Sequence, residues 1–344
     1  MKNTFLVLVA SLILLIGCAD EQFAGGTDGP GPKGEPVRAS IEFGEDSYYL
    51  GETVVYENVA VVPLISKDFD PQKEADYITL AEATKNDWIE IIEKPGEETV
   101  EELTVRYNGP KPLLLLAGEL LLGGKQDRVV AHDTAIDPMS EATVAVYCVE
   151  PGRWSGSSLF GYSGTQVPSS VKEQALLGAQ GDVWAETSTF NDLARASNSG
   201  RSTVDMGLKS EDVTKFTDDG KKALLKVIEN DDAIVGVLFV INGEVHSLEL
   251  FSAPRLLESA YGSILGGILA EASVQQGVKY ELPRSEDYRT FLSNISQSGS
   301  EALAQGGAVN GNIEVKHGSI AGMIYDGSSE DKRITHGTFY NKKD

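Results

Sequence analysis

The apolar positions along the chain fall into two textures. Up to about Trp154, short apolar runs alternate with polar breaks, the period of half-buried strands. This pattern predicts strands over 39–43, 53–65, 88–93, 101–108, 112–122, 128–133 and 142–150. Thr143-Val144-Ala145-Val146-Tyr147-Cys148-Val149 is the most β-rich of these runs. Residues 76–83 read as a helix instead. Asn108-Gly109-Pro110 and Gly123-Gly124 supply turn signals between strands.

A Gly/Ser-rich loop is predicted over 155–164, and beyond it helical spacing takes over. Val171, Ala175, Leu176, Ala179, Val183 and Trp184 place a helix over 170–196, and a second is predicted over 218–228. Runs 233–242 and 244–252 form a hairpin, because Asn242-Gly243 supplies the positive φ of a tight turn. A helix over 254–276 buries Leu256, Leu257, Ala260, Ile264, Leu265 and Leu269. It also contains Gly262, Gly266 and Gly267, and interior glycine costs ~1 kcal/mol unless a close neighbour requires it. The tail over 308–340 alternates like two or three edge strands. No internal repeat is visible. The fold class expected is α+β: a strand-rich N-terminal half packed on a mixed helix and hairpin C-terminal half, in a single body over 37–344.

The first 36 residues follow neither texture. Behind Lys2, an apolar or small run from Phe5 to Gly17 ends in Leu15-Ile16-Gly17-Cys18, which resembles a bacterial lipobox. At ~1.5 Å of rise per residue the run is short for a bilayer span, so it predicts a signal peptide over 1–17 and lipid on Cys18. Several acyl chains on one cysteine anchor a protein durably. Residues 18–36, rich in Gly and Pro and nearly free of apolar side chains, are expected to be a flexible stalk. The body would then sit in the periplasm or outside the cell, held to the inner or outer membrane.

Charge narrows the partners. With 52 Asp and Glu against 29 Lys and Arg, the chain carries a formal net charge of −23. Such a surface repels polyphosphate backbones, so no nucleic-acid partner is expected. Once Cys18 carries lipid, Cys148 is the remaining thiol, and the core must hold the fold without an intramolecular disulfide.

Two segments concentrate polar chemistry. In Ala117-Gly118-Glu119-Leu120-Leu121-Leu122-Gly123-Gly124-Lys125-Gln126-Asp127-Arg128 an apolar strand ends at two glycines and releases long polar side chains. In Cys148-Val149-Glu150-Pro151-Gly152-Arg153-Trp154 a strand end presents a guanidinium and an indole. Paired about twenty residues apart, these segments resemble the ARG and rhodanese-phosphatase-superfamily-associated protein domain. Tyr56-Glu57-Asn58, Val62-Pro63-Leu64, residues 77–83, residues 180–184 and Glu249-Leu250-Phe251 fit the same pattern, over roughly 48–272. The resemblance implies no activity by itself, since the name records gene neighbours, ADP-ribosylglycohydrolases and rhodanese-like phosphatases. One departure is Asp127, where the pattern has Asn.

The residue types allow two readings of these strand ends. In the first, Lys125, Gln126, Asp127, Arg128, Arg153 and Trp154 form a ligand site. A planar guanidinium grips carboxylate or phosphate with two parallel hydrogen bonds, and an indole stacks on a flat ligand. Glu119 and Glu150 would be the base and acid of such a site or accept ligand hydroxyls. In the second, Glu119 and Glu150 are buried carboxylates neutralised by Arg128 and Arg153, with Trp154 as a core plug. Gly123-Gly124-Lys125 lacks the spacing and the Ser/Thr of a phosphate loop, and a strand is predicted where that loop needs a helix. His132, His246, His317 and His336 have no metal-ligand spacing, and Asp133 beside His132 could orient its ring. Cys148, inside an apolar strand, reads as an inert buried thiol, with activation by His132 as the alternative. No cofactor or metal is expected. The functional expectation is a lipid-anchored protein binding a small anionic or sugar/nucleotide-like ligand. The alternatives are a hydrolase using Glu150 or Glu119 as base, and a non-catalytic structural envelope lipoprotein. Sequence leaves the oligomeric state open.

Overall fold

A computed structural model of the chain describes residues 40–342, apart from 44–45, 68, 70–75, 95, 97–99, 197–201, 278 and 328–333. The expected signal peptide, Cys18 and the stalk lie outside the described residues. Seven α-helices and 18 strands make up the described body, an α+β architecture with the helices concentrated in the C-terminal half.

The largest unit is a nine-stranded antiparallel sheet. Its order is β1 (Ser40–Phe43), β2 (Asp46–Leu50), β4 (Val59–Ser66), β14 (Ile234–Ile241), β15 (Glu244–Phe251), β18 (His336–Asn341), β17 (Ile320–Tyr325) and β16 (Asn312–His317). The ninth strand, β3 (Val54–Tyr56), pairs with β4. Both faces are buried, and β4 shows why its sequence is apolar throughout. Ala60, Val62 and Leu64 enter one core, Val59, Val61 and Ile65 the other. The first core is closed by α7 (Ser285–Gln305) through Tyr288, Phe291, Leu292 and Ile295. Helix α7 also touches both edge strands, β1 and β16, so the sheet curls around it. The second core is closed by α5 (Glu211–Leu224) and α6 (Pro254–Ser273).

A closed six-stranded barrel stands beside this sheet. Its strands run in the order β10 (Arg128–Val130), β12 (Ser140–Cys148), β7 (Glu102–Tyr107), β6 (Ile89–Glu93), β13 (Leu159–Gln166) and β9 (Glu119–Gly123), which returns to β10. Leu103, Val105, Leu121, Val130, Val144, Val146 and Phe160 belong to its core. A third, small sheet of β11 (Thr134–Ile136), β8 (Leu113–Leu115) and β5 (Ile78–Thr79) adjoins the barrel, and α1 (Leu80–Lys85), opened by a Thr79/Glu82 capping box, follows β5.

Several elements depart from the sequence pattern. The predicted loop over 155–164 is partly strand, because Leu159–Gln166 closes the barrel between β6 and β9. The run 112–122 is split by Gly118 at φ +88° into β8 and β9. The long helix over 170–196 is two helices, α2 (Ser169–Leu177) and α3 (Gln180–Leu193), separated at Gly178. The predicted tail strands exist, but β18 lies inside the sheet between β15 and β17 rather than at its edge. Two of the three glycines of α6 meet close neighbours as expected; Gly262 does not, since a Cβ there would lie 3.7 Å from Leu225 Cδ2, an ordinary contact. A Cβ on Gly266 would sit 2.4 Å from Thr165 Oγ1, and one on Gly267 2.4 Å from the Val167 carbonyl. Those contacts seat α6 against β13 and join the barrel to the sheet.

Candidate functional site

The register of the barrel brings the two polar segments together. Arg128 is the partner of Cys148 across β10 and β12, so the turn after β9 and the turn after β12 lie side by side. Gly123 at φ +126° and Gly124 at φ +51° make the first turn, and Gly124 lies so close to the Phe160 ring that no side chain fits there. Gln126 donates through Nε2 to the Glu150 carbonyl at 2.8 Å and accepts from the Cys148 thiol at 3.1 Å.

Arg153 fastens the corner. Its Nε donates to Glu150 Oε2 at 2.7 Å and its Nη2 lies 2.6 Å from the same oxygen. Nη1 donates to the carbonyls of Gly124 and Ser155, both at 2.8 Å. Nη2 also reaches the Gly123 carbonyl at 3.0 Å and Asp127 Oδ1 at 3.3 Å. Hydrogen bonding to Glu150 holds the Arg153 guanidinium above its ordinary pKa. Asp127 accepts from Gly123 N–H at 2.9 Å and from the Thr203 hydroxyl at 2.7 Å, while burial raises its pKa. Lys125 and Trp154 lie at the surface of this frame. The Lys125 ammonium stands 5.0 Å from the centre of the indole, and Trp154 is 45% exposed.

Arg128 behaves differently. It alternates with Val130 along β10, so it shares the inward face and lies completely buried, with the Phe160 ring 5.9 Å from its guanidinium carbon. Nη1 donates to the Gln126 carbonyl at 2.7 Å, but Nε and Nη2 are buried with no partner. Cys148, opposite it in register, has its thiol pushed up to about 11 by burial, which suits an inert thiol.

Glu119 is not part of this corner. It begins β9 while the Arg153 contacts gather at that strand's far end, and its partners belong to the seam between barrel and sheet. Glu119 Oε2 accepts from Leu116 N–H at 3.0 Å, and burial pushes its pKa up to about 8. Lys172 of α2 crosses Gly118 and donates to Glu249 Oε1 at 2.7 Å. The other Glu249 oxygen meets His336 Nε2 at 2.9 Å and accepts from the Thr338 hydroxyl at 2.8 Å. Asp133 binds His336 Nδ1 at 2.5 Å and accepts from Ala117 N–H at 2.8 Å, so it orients His336 rather than the adjacent His132. Burial alone would make His336 hard to charge, but Asp133 and Glu249 overcome it and raise the imidazole to about 9. Burial likewise opposes charge on Glu249, and Lys172 with His336 pulls it down to about 2. No local spacing marks this cluster, whose members come from five separate segments. No group of His, Cys, Asp or Glu among the described residues is arranged to hold a metal ion.

A family model described as the ARG and Rhodanese-Phosphatase-superfamily-associated Protein domain matches residues 47–340, which takes in both the corner and the seam. No curated protein and no solved structure matches the chain.

Proposed function

The chain belongs to the family of ARG and Rhodanese-Phosphatase-superfamily-associated Protein domains, and on that premise we propose that its body binds a small oxyanion at Arg128. The observation that carries this reading is the bare edge of a buried guanidinium. Nε and Nη2 lie on one side of the planar group, the side that takes both oxygens of a carboxylate or phosphate in parallel. Both are buried and unpartnered, while Nη1 fixes the plane through the Gln126 carbonyl. A fully buried cation with vacant donors is costly, and an anion of matching geometry removes the cost. Lys125 and Trp154, at the outer rim of the same corner, suit the remainder of a ligand with a further negative charge and a flat ring or sugar face.

Binding fits the corner better than hydrolysis. Glu150 Oε2 is engaged by Arg153 and by the Asp127 N–H at 3.2 Å, so this carboxylate acts as a strut. We place the body at a bacterial envelope membrane, tethered through lipid on Cys18, because the segment before that residue resembles a lipobox.

Calorimetric titration of the purified protein with inorganic phosphate, sulfate and acetate tests the oxyanion site. Saturable binding is expected, together with a rise in unfolding temperature, since a ligand at 100 times its Kd stabilises by about 2.7 kcal/mol. Arg128→Met should abolish the response while leaving the unliganded protein as stable or more so, because it removes an unpaired buried charge. Saturable binding retained by Arg128→Met, or its absence from the native chain, would refute the reading.

A further inference from the structure

The seam is built from side chains of five segments: Glu119 on β9, Asp133 after β10, Lys172 on α2, Glu249 on β15 and His336 on β18. All five are at least nine-tenths buried. Two cations answer two anions in alternation, from Asp133 through His336 and Glu249 to Lys172. Glu119, held mainly protonated at neutral pH by burial, adds a carboxyl and little charge. The cluster is therefore close to electroneutral.

Its hydrogen bonding is nevertheless incomplete. Gln166 faces Glu119 across β13 and β9, is 2% exposed, and has an amide nitrogen with no partner. Its amide oxygen would lie 3.3 Å from a Cβ on Gly118, the residue that the Lys172 stem crosses, so the head group points at the cluster. Ser247 approaches from the sheet. It shares a face of β15 with Glu249, two residues on, and its buried hydroxyl also has no partner. Each vacant donor costs roughly 1–3 kcal/mol when sealed from water.

We propose that this seam is a second binding site, for a neutral polyol or sugar. One hydroxyl accepts from Gln166 Nε2 and another from Ser247, and a neighbouring hydroxyl on the same carbon chain meets the carboxyl of Glu119, which faces Gln166 across β13 and β9. A charged guest is disfavoured, because it would meet a cluster whose charges already cancel and would itself have to be desolvated.

The test is calorimetric titration of the intact protein with glycerol, inositol and ribose, with inorganic phosphate, titrated into Arg128→Met so that the corner is silent, as the charged comparator. At least one neutral compound should give saturable heat. Ser247→Ala, which deletes one atom, should weaken it by tenfold or more, and Gln166→Met should do the same by replacing the amide with a side chain of similar length. Circular dichroism confirms that both variants fold. The proposal falls if none of the neutral compounds binds saturably, if both folded variants bind as tightly as the native chain, or if a crystal soaked in the best binder shows only water between Gln166 and Ser247.

Discussion

Arg153 closes on Glu150 the same guanidinium edge that Arg128 leaves bare. Both side chains belong to one corner of the barrel, and both present Nε and Nη2 together. In Arg153 that edge is met by a carboxylate of the chain itself, which locks two turns. In Arg128 the matching carboxylate is missing, and the inward-facing position excludes solvent. The contrast separates a structural arginine from one with binding capacity left over.

The lock can be opened by mutation. Arg153→Ala strands the Glu150 carboxylate, 3% exposed in its side chain, and should cost about 3 kcal/mol, the lower end for breaking a buried pair. Urea unfolding of the native and mutant proteins measures this. Because Cys148 lies behind the corner, its alkylation should accelerate, by about 100-fold if opening of the corner limits access, as 1.4 kcal/mol corresponds to a factor of ten. Bound oxyanion should slow alkylation again. Unchanged stability and unchanged thiol reactivity would show that Arg153 holds nothing shut.

The seam sets the dependence of stability on pH. His336 binds its proton more tightly folded than unfolded, with its pKa raised from 6.5 to about 9. Its contribution is full below pH 6.5 and disappears as pH rises through 9. Glu119, raised from 4.5 to about 8, acts in the same direction, so stability falls between these values as pH increases. Glu249 has the opposite sign: lowered to about 2, it stabilises above pH 4.5 and is lost as pH falls through 2. Thermal unfolding between pH 4 and 10 should therefore show greatest stability in mildly acidic solution and a decline through pH 7 to 9. The decline should be shallower in His336→Gln. A native profile that rises over that alkaline range would contradict the protonation states assigned to the seam.

Two glycines of α6 should respond to alanine in opposite ways. At Gly262 the nearest atom to a new Cβ is Leu225 Cδ2 at 3.7 Å, an ordinary contact, so Gly262→Ala should stabilise by up to ~1 kcal/mol through helix propensity. At Gly267 the Cβ would lie 2.4 Å from the Val167 carbonyl, which belongs to the backbone and cannot swing aside. Gly267→Ala should destabilise by roughly 1–3 kcal/mol, as overpacking does. Chemical denaturation of the two variants decides it, and equal effects would mean that α6 does not depend on contact with the strand.

What sequence revealed, and what it did not, follows the range of the interactions. The Asn242-Gly243 hairpin was legible because two adjacent residues dictate it, with both at positive φ. The corner was legible for a similar reason, since each turn gathers its polar residues within a dozen positions. Helix α7 was hidden by its five Ser residues together with Asn294 and Gly299, although Tyr288, Phe291, Leu292 and Ile295 have the spacing of a buried helical stripe. Strand β13 was hidden by Gly161 and Gly164, and its identity comes from the neighbours that it joins. The seam could not be read at all, because Glu119, Asp133, Lys172, Glu249 and His336 meet only after barrel and sheet have folded against each other.

The wrapping of the large sheet around α7 bears on how copies of this protein live side by side. Open sheets end in strands with unmatched peptide groups, which invite a neighbouring molecule to add a strand and start a fibril. Here one helix attends to both ends, contacting β1 and β16, and the Ser296 hydroxyl donates to the Glu42 carbonyl of β1. Copies that meet would thus do so through strongly acidic, mutually repelling exteriors, with α7 packed against both margins of each sheet.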